Sequence, residues 1–489
     1  MKKSTCIVFM TLFATITCMG QKKYSLQAII DIATEKSVSI QKAKNELKMH
    51  YWHYSNYKAE RLPALTLTLT PFQYSRNIIK RYISDSDRDE YRSQKSLYSY
   101  GNLQLTQNVD FTGGVLYAVS ELGFLRTFSS TTYNQFSTVP YRIGYSQSLF
   151  GYNRFKWDRK IEPLKNETAK RKYSYALESI TYAAATFFFD LCFAKENLDL
   201  SLDQVEKSDT LLAIGETLFK YDALSKSDLL ALKLHKMEME DELLKNRNEY
   251  RKKMFQLLSY IGIENSDSIE IELPTNRPSI AILYRTALEE CRSNNPAYLE
   301  MNQNILSASK DLDKTKKERF FDTNIDVSIG SNQYSDKFKE AYRNLLQQEV
   351  ISIGITIPLI DWGIRNGRYK IAKSALATVR AEEKQKIQEL EQEIFAAVNN
   401  YQVQQNVYDR ALEAFTLSKT IYTETLEKFK LGATDVKGLK DSMTAIKESH
   451  RRYVNALCES WLSYMNIRRL TLYDFLKHTN LTIENSIFD

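Results

Sequence analysis

The chain has few of the residues that interrupt or crosslink a fold. Its 489 residues include 15 Gly, 8 Pro, 5 Cys, 5 His and 4 Trp. So little Gly and Pro excludes collagen-like and low-complexity classes and leaves no composition break for a linker. The length would hold about three domains of ~150 residues, but long continuous elements are expected instead. Cys192, Cys291 and Cys458 are an odd set with no CxxC or Cys/His spacing, which argues against a disulfide framework or a zinc site. His50 and His53 share a helix face, yet neither a Cys partner nor HExxH accompanies them, so no metal is expected. No P-loop, GxSxG or GxGxxG occurs, and Gly113-Gly114 lacks the Lys and the helix start of a phosphate loop. Glu289-Glu290 and Glu382-Glu383 fall on charged helix faces where solvation accounts for them. Neither an enzyme nor a cofactor is expected. The charge, 67 Lys+Arg against 60 Asp+Glu for a net +7, is interleaved rather than blocked, which argues against nucleic acid.

What is present begins with Met1-Lys2-Lys3-Ser4, an apolar stretch from Cys6 to Ile16 and Cys18-Met19-Gly20, which reads as a secretory signal peptide over residues 1–20. The run is too short for an anchor of about 20 apolar residues. Lipidation at Cys18 is the competing reading. The most apolar later segment, Ser179 to Ala194, is interrupted by Asp190, so no transmembrane helix is expected. An exported chain of this kind is either soluble or spans an outer membrane as a β-barrel.

The sequence is duplicated. Lys58-Ala59-Glu60-Arg61 matches Lys316-Lys317-Glu318-Arg319 at an offset of 258, and Phe219-Lys220-Tyr221-Asp222-Ala223 matches Phe429-Lys430-Leu431-Gly432-Ala433 at 210. The difference, 48 residues, lies between 62–146 and 320–356, so the first copy carries an insertion. The first repeat covers 21–264: a helix over 25–62, a β region over 63–149, a coiled-coil hairpin over 150–263 and a tip at 219–229. A linker over 265–278 precedes the second repeat, 279–475, with a helix over 279–320, a β region over 322–358, a hairpin over 360–470 and a tip at 429–441. Residues 476–489 form a C-terminal tail.

Leu65 to Thr70, Ile325 to Gly330 and Ile351 to Ile357 alternate with period two, one face apolar and one small and polar. Such strands suit a sandwich or a barrel whose apolar face meets lipid, and so few per copy favour the barrel. The insertion adds strands at Asn102 to Asp110, Val115 to Phe124 and Arg142 to Leu149. Arg76 to Gln94, with Asp85, Asp87, Asp89 and Glu90, reads as a surface loop. The aromatics Tyr98, Tyr100, Tyr117, Phe124, Phe128, Tyr133, Phe136, Tyr141 and Tyr145 would supply an interfacial girdle, or simply satisfy strand propensity.

Each copy then runs about 70 residues without tight-turn signals, Pro163 aside, a rod of roughly 100 Å. From Ile387 the seam Leu390, Ile394, Ala397, Tyr401, Gln404, Tyr408, Ala411, Phe415, Ser418, Tyr422, Thr425, Phe429 has period 3.5, and the same register recurs in the first copy from Leu177 to Phe219. In the turns Gly432 reads as a C-cap, and Ser225 and Asp435 as N-caps of the returning helices.

The duplicated helix, strand, strand, helix unit, Ile357-Pro358-Leu359-Ile360-Asp361-Trp362-Gly363 and the Phe429 to Leu439 turn resemble the TolC-like outer-membrane channels of Gram-negative efflux and secretion machines. The resemblance implies an α+β membrane protein in which a long coiled-coil α-barrel and a transmembrane β-barrel are shared by a homotrimer. It implies a passive exit duct of a tripartite efflux pump or type I secretion system, in the outer membrane with a long periplasmic extension. Its partners would be outer-membrane lipid, a periplasmic adaptor and an inner-membrane transporter. The family's tip aromatic falls on Phe429, its turn glycine on Gly432 and an acid ringing the closed entrance on Asp441. Thr434 stands where a basic gate residue is usual and Gly438 where a second acid is. Thr434 and Asp435 complete the gate, and Asp222, Ala223, Ser225, Asp228, Gly432 and Ala433 are the expected adaptor-contact turns. The insertion makes six strands per protomer conceivable in place of four. The alternatives are a soluble periplasmic adaptor and a structural coiled-coil spacer.

Overall fold

A computed structural model describes residues 23–83, 87–128, 132–222, 224–263, 269–431 and 433–482. The expected signal peptide with Cys18, the loop residue Asp85, the tip residues Ala223 and Gly432, and the end of the tail lie outside them. In chain order the elements are β1 (Lys23–Tyr24), α1 (Leu26–Lys36), α2 (Val38–Ala59), β2 (Ala64–Ile83), β3 (Arg88–Val109), β4 (Gly114–Phe128) and β5 (Tyr133–Ser148). Then come α3 (Arg154–Lys220), α4 (Lys226–Ile261), β6 (Glu270–Ile271), α5 (Tyr284–Asn294) and α6 (Pro296–Lys317). The chain ends with β7 (Asp322–Ser335), β8 (Leu346–Thr356), α7 (Ile364–Lys430), α8 (Val436–Thr471), β9 (Tyr473–Asp474) and β10 (Thr479–Asn480).

The duplication reaches the element boundaries. α1 and α2 begin and end 258 residues before α5 and α6, and α3 and α4 stand 210 before α7 and α8. Where one helix was expected over 25–62, the chain breaks at Ser37, whose backbone is extended and whose N–H donates to the Ala33 carbonyl. The Ser37 hydroxyl in turn accepts from the Ile40 N–H at 3.3 Å, capping α2. The helix expected over 279–320 breaks at the equivalent Asn295. There the cause is Pro296, which forces its predecessor out of the helical region and fits the first turn of the next helix. The expected linker holds β6, paired in parallel with β1, and the expected tail holds β10, paired with β9.

The chain packs as two compact units, and each draws on both repeats. One comprises Asn45–Lys172 and Pro296–Leu390. It contains a six-stranded antiparallel sheet in the order β2-β3-β4-β5-β7-β8. The stretch read as a loop over 76–94 is instead the outer half of a hairpin, paired from Ile83↔Arg88 back to Arg76↔Lys95. Its charges mislead because a ribbon wetted on both faces needs no apolar side. Helix α3 is tied to α6 here: Trp157 Nε1 donates to Asp313 at 2.9 Å, and Asp158 accepts from Lys310 at 2.7 Å.

The other unit holds the described residues up to Lys44, Tyr173–Asn295 and those from Glu391 onward. Its core lines the inner seam: Ala184, Phe188, Leu191, Ile394, Val398 and Tyr401 are buried. Helix α3 carries one 18-residue window apolar enough to cross a membrane, and half of that window is buried inside the chain. Near the end of α8, Arg468 Nε meets Glu178 at 2.8 Å and Arg468 Nη1 meets Asp474 at 3.3 Å. Burial alone would raise the Asp474 carboxyl. The Tyr464 hydroxyl, the Lys477 N–H, Arg468 and the Leu476 N–H outweigh it and hold the group below its usual value. Arg468→Gln leaves the buried Glu178 and Asp474 without their shared guanidinium and should cost about 3–5 kcal/mol in denaturant unfolding followed by circular dichroism. In the wild type the Asp474 contribution should be complete above about pH 4 and be lost as the pH falls through the lowered folded-state value.

Candidate functional site

Cross-strand register sorts the sheet into two chemically distinct faces. Leu65 and Leu67 stand opposite Leu105 and Leu103. The same row runs through Ala118 and Leu116, Ile143 and Tyr145, Ile329 and Val327 to Ile351 and Ile353. Among the described residues most of this face is uncovered, Leu65 being 65% exposed and Ile353 61%; the 337–342 turn packs over it at Phe136 and Thr138, with the Phe338 ring 5.7 Å from that of Phe136. The face is a band of one depth. Leu65 to Tyr74, Leu105 to Leu97 and Leu116 to Phe124 are nine or ten residues each, the 9–11 that a tilted strand needs to cross a bilayer.

The other face carries Thr66, Thr68, Asn102, Gln104, Tyr117, Ser146, Ser328 and Ser352. Its charges are held in place. Arg142 donates to Glu121 at 2.7 Å, and the Tyr117 hydroxyl donates to Asp326 at 3.0 Å. The expected aromatic girdle divides here: Tyr98, Tyr100, Tyr117 and Tyr133 lie on the polar face, while Phe124, Phe128, Phe136, Tyr141 and Tyr145 lie on the apolar one. At the helix-bearing end, exposed Phe111, Phe150, Phe320 and Trp362 border the band, positions suited to a membrane interface. Sequence reasoning assigned none of the four to an interface, although Trp362 stands in the 357–363 motif, because they sit in turns, outside any period.

Both edges of the sheet, β2 and β8, lack a partner strand among the described residues. The six strands alternate in direction, so the two edge strands β2 and β8 run antiparallel to each other. Two helical stripes are equally uncovered. Leu230, Leu234, Met237 and Leu244 on α4, and Val403, Val407, Leu417 and Ile421 on α7, are exposed at heptad spacing, off the seam that the sequence marks.

At the helix tips, Phe429 is 3% exposed, packed with Leu211, Leu232, Leu439 and Met443 from the other three helices. Its duplicate Phe219 is 39% exposed. Asp435 accepts from the Gly438 N–H at 2.8 Å and Ser225 from the Asp228 N–H at 3.1 Å, so both are N-caps. Asp228 also accepts from the Ser225 hydroxyl at 2.7 Å. A Cβ on Gly438 would stand 3.0 Å from the Thr434 hydroxyl and 3.2 Å from an Asp435 oxygen, so an acid at 438 would have to displace these side chains slightly and would meet a like-charged neighbour. Asp222 adopts a left-handed φ of 54° in its turn, and the Ala433 N–H closes α7 on the Lys428 carbonyl at 2.8 Å. Asp441 is exposed on α8, beside Lys440, which pairs with Glu238 at 3.2 Å. His235 was not singled out by the sequence. Burial, then Lys440, hold its imidazole below its ordinary value, and it lines a cavity of about 190 Å³ with Leu232 and Met443.

No family model matches the sequence, and no curated protein does. Solved structures do match in fold. The Campylobacter jejuni CmeC outer membrane channel aligns over 91% of this chain and 85% of its own, with a TM-score of 0.66 at 12% identity. The outer membrane protein VceC from Vibrio cholerae covers 91% and 95%, with a TM-score of 0.65 at 13% identity. The fold is TolC-like. A third TolC-like neighbour, the open state of the Neisseria gonorrhoeae MtrE outer membrane channel, covers 91% and 88%, with a TM-score of 0.61 at 13% identity. In this TolC-like chain the tip depends on one ring. Phe429→Ala should cost about 3–5 kcal/mol, read as faster amide exchange confined to the ends of α3, α4, α7 and α8.

Proposed function

We propose that the chain is the outer-membrane exit duct of a tripartite efflux pump or type I secretion system. One observation carries this reading: a sheet with a bilayer-deep apolar face, a polar opposite face and two open edges. In water the apolar face and both edges would be costs without compensation, and in hydrocarbon an unpaired edge is not tolerated. Three copies, edge to edge, close an 18-stranded antiparallel barrel. At a strand spacing near 4.8 Å and a tilt near 40°, its backbone diameter is about 36 Å, enough for an aqueous lumen. The uncovered stripes on α4 and α7 then become the contacts between neighbouring helical hairpins. A soluble adaptor or a structural spacer would leave Leu65, Leu67, Leu69 and Ile351 to Ile357 in water for no purpose.

The polar face and the helical interior form the conduit, and the tips gate it. Phe429, Thr434, Asp435 and Asp441 belong to the gate. Asp222, Ser225, Asp228 and Ala433 present the turns to a periplasmic adaptor coupled to an inner-membrane transporter. Opening follows when that adaptor binds the open arrangement of the tips more tightly than the closed one. The energy comes from the transporter.

Detergent-extracted protein should run as a trimer that shifts mobility on boiling and should conduct ions in planar bilayers. Three copies of exposed Asp441 at the entrance attract cations, so Asp441→Asn should lower the cation preference read from the reversal potential. A soluble monomer removes the duct; conduction with unchanged selectivity removes only Asp441 from the gate.

A further inference from the structure

We propose that the outer end of the apolar band, away from the helices, binds the phosphate groups of an outer-leaflet lipid through Arg76, Lys95 and Arg126; this rests on the membrane reading above. Arg76 and Lys95 stand directly opposite each other on β2 and β3. Lys95 also faces Phe128 on β4, and Arg126, two residues before Phe128, faces Leu97. All three cations are exposed on the apolar face. Among the described residues none of them pairs with a carboxylate, and the Arg126 guanidinium lies only over the Phe128 ring, 5.5 Å from its centre. The described acids farther out on the same ribbon are engaged elsewhere: Asp89 by Lys80 at 2.6 Å, Glu90 by Arg88 at 3.2 Å and Asp87 by the Tyr82 hydroxyl. Glu121 lies on the opposite face, bound to Arg142.

Like charges directly across a strand pair destabilise a sheet, and an ordinary solvated surface intersperses acids among its cations. Here three cations cluster without one. Their position is equally specific. Tyr74 and Leu97 are the last directly opposed apolar pair of β2 and β3, and Arg76 and Lys95 are two residues further, about 7 Å at the rise of a strand. Phe128 stands beside Lys95 and Ile78 beyond Arg76 on the same face, the mixed composition of a headgroup boundary. Two guanidinium forks and an ammonium match phosphate oxygens. All three side chains are open to solvent, so a free anion gains little there. A lipid anchors its acyl chains along Leu97, Leu103 and Tyr74 while its phosphates neutralise the cations.

The test uses the full assembly in detergent, wild type and the Arg76→Gln, Lys95→Gln, Arg126→Gln triple variant, with lipid adducts counted by native mass spectrometry. The probes are lipid A, a diglucosamine lipid with two phosphates, phosphatidylcholine and inorganic phosphate. The lipid A dissociation constant should rise on the order of a hundredfold in the variant, at roughly fivefold per cation, with phosphatidylcholine unchanged and no displacement by millimolar phosphate. Equal lipid A binding by both proteins overturns the proposal, and so does displacement by inorganic phosphate. Boiling-dependent gel mobility reports whether the triple variant has assembled. If it has not, Arg126→Gln alone should show the fivefold loss, and its absence is equally fatal. A wild type that forms no trimer contradicts the duct, whereas a trimer indifferent to lipid A contradicts this inference alone.

Discussion

Backbone hydrogen bonding at the edges of an amphipathic sheet is the constraint on which the structure turns. β2 and β8 each offer a row of N–H and C=O groups with no partner among the described residues, beside leucines and isoleucines with nothing over them. Closing strand rows into a ring satisfies both at once, because it removes edges and gives the apolar face to lipid. An even strand number per chain makes the closure antiparallel at every seam. The 48-residue insertion respects that rule, since it adds the β3–β4 pair and lengthens β2 without changing the direction in which the chain re-enters its helices.

The helices answer a different demand. Two hairpins of identical element lengths arise from one duplicated unit, yet their duplicated positions do not share environments. Phe429 is buried in the four-helix tip while Phe219 is exposed. α8 buries residues along its whole length, whereas α4 buries five. A symmetric sequence thus builds hairpins of unequal burial, α8 buried along its length while α4 and α7 each present an uncovered apolar stripe. The free cysteines fit that packing: Cys192, Cys291 and Cys458 are buried, and burial pushes the Cys291 and Cys458 thiols up to about 12.

Much of this was legible in the sequence. The offsets of 258 and 210 located every long helix, and strict alternation in Leu65 to Thr70 and Ile351 to Ile357 marked the barrel strands with their two faces. The rest was hidden for physical reasons. Ser37 breaks a helix through a local hydroxyl cap that composition does not announce, although Pro296 signalled the equivalent break. Residues 76–94 pair as strands while looking like a loop, because both faces of that ribbon are wet. The tip difference between Phe219 and Phe429 comes from how α3, α4, α7 and α8 converge, with Phe429 turned into their shared core, which no local period encodes. The caps Ser225 and Asp435 were readable because their hydrogen bonds reach only three residues along the chain.

Disulfide scanning between single cysteines placed along β2, at Leu65 to Leu69, and along β8, at Ile351 to Ile355, tests edge-to-edge closure most directly. The native thiols among the described residues, Cys192, Cys291 and Cys458, are buried, and a variant without added cysteines sets the background. The account predicts that oxidation of a β2–β8 double-cysteine variant yields covalent species between chains, a ladder ending at three, at register positions that repeat every second residue. Oxidation that gives monomers only, at every register, would contradict it.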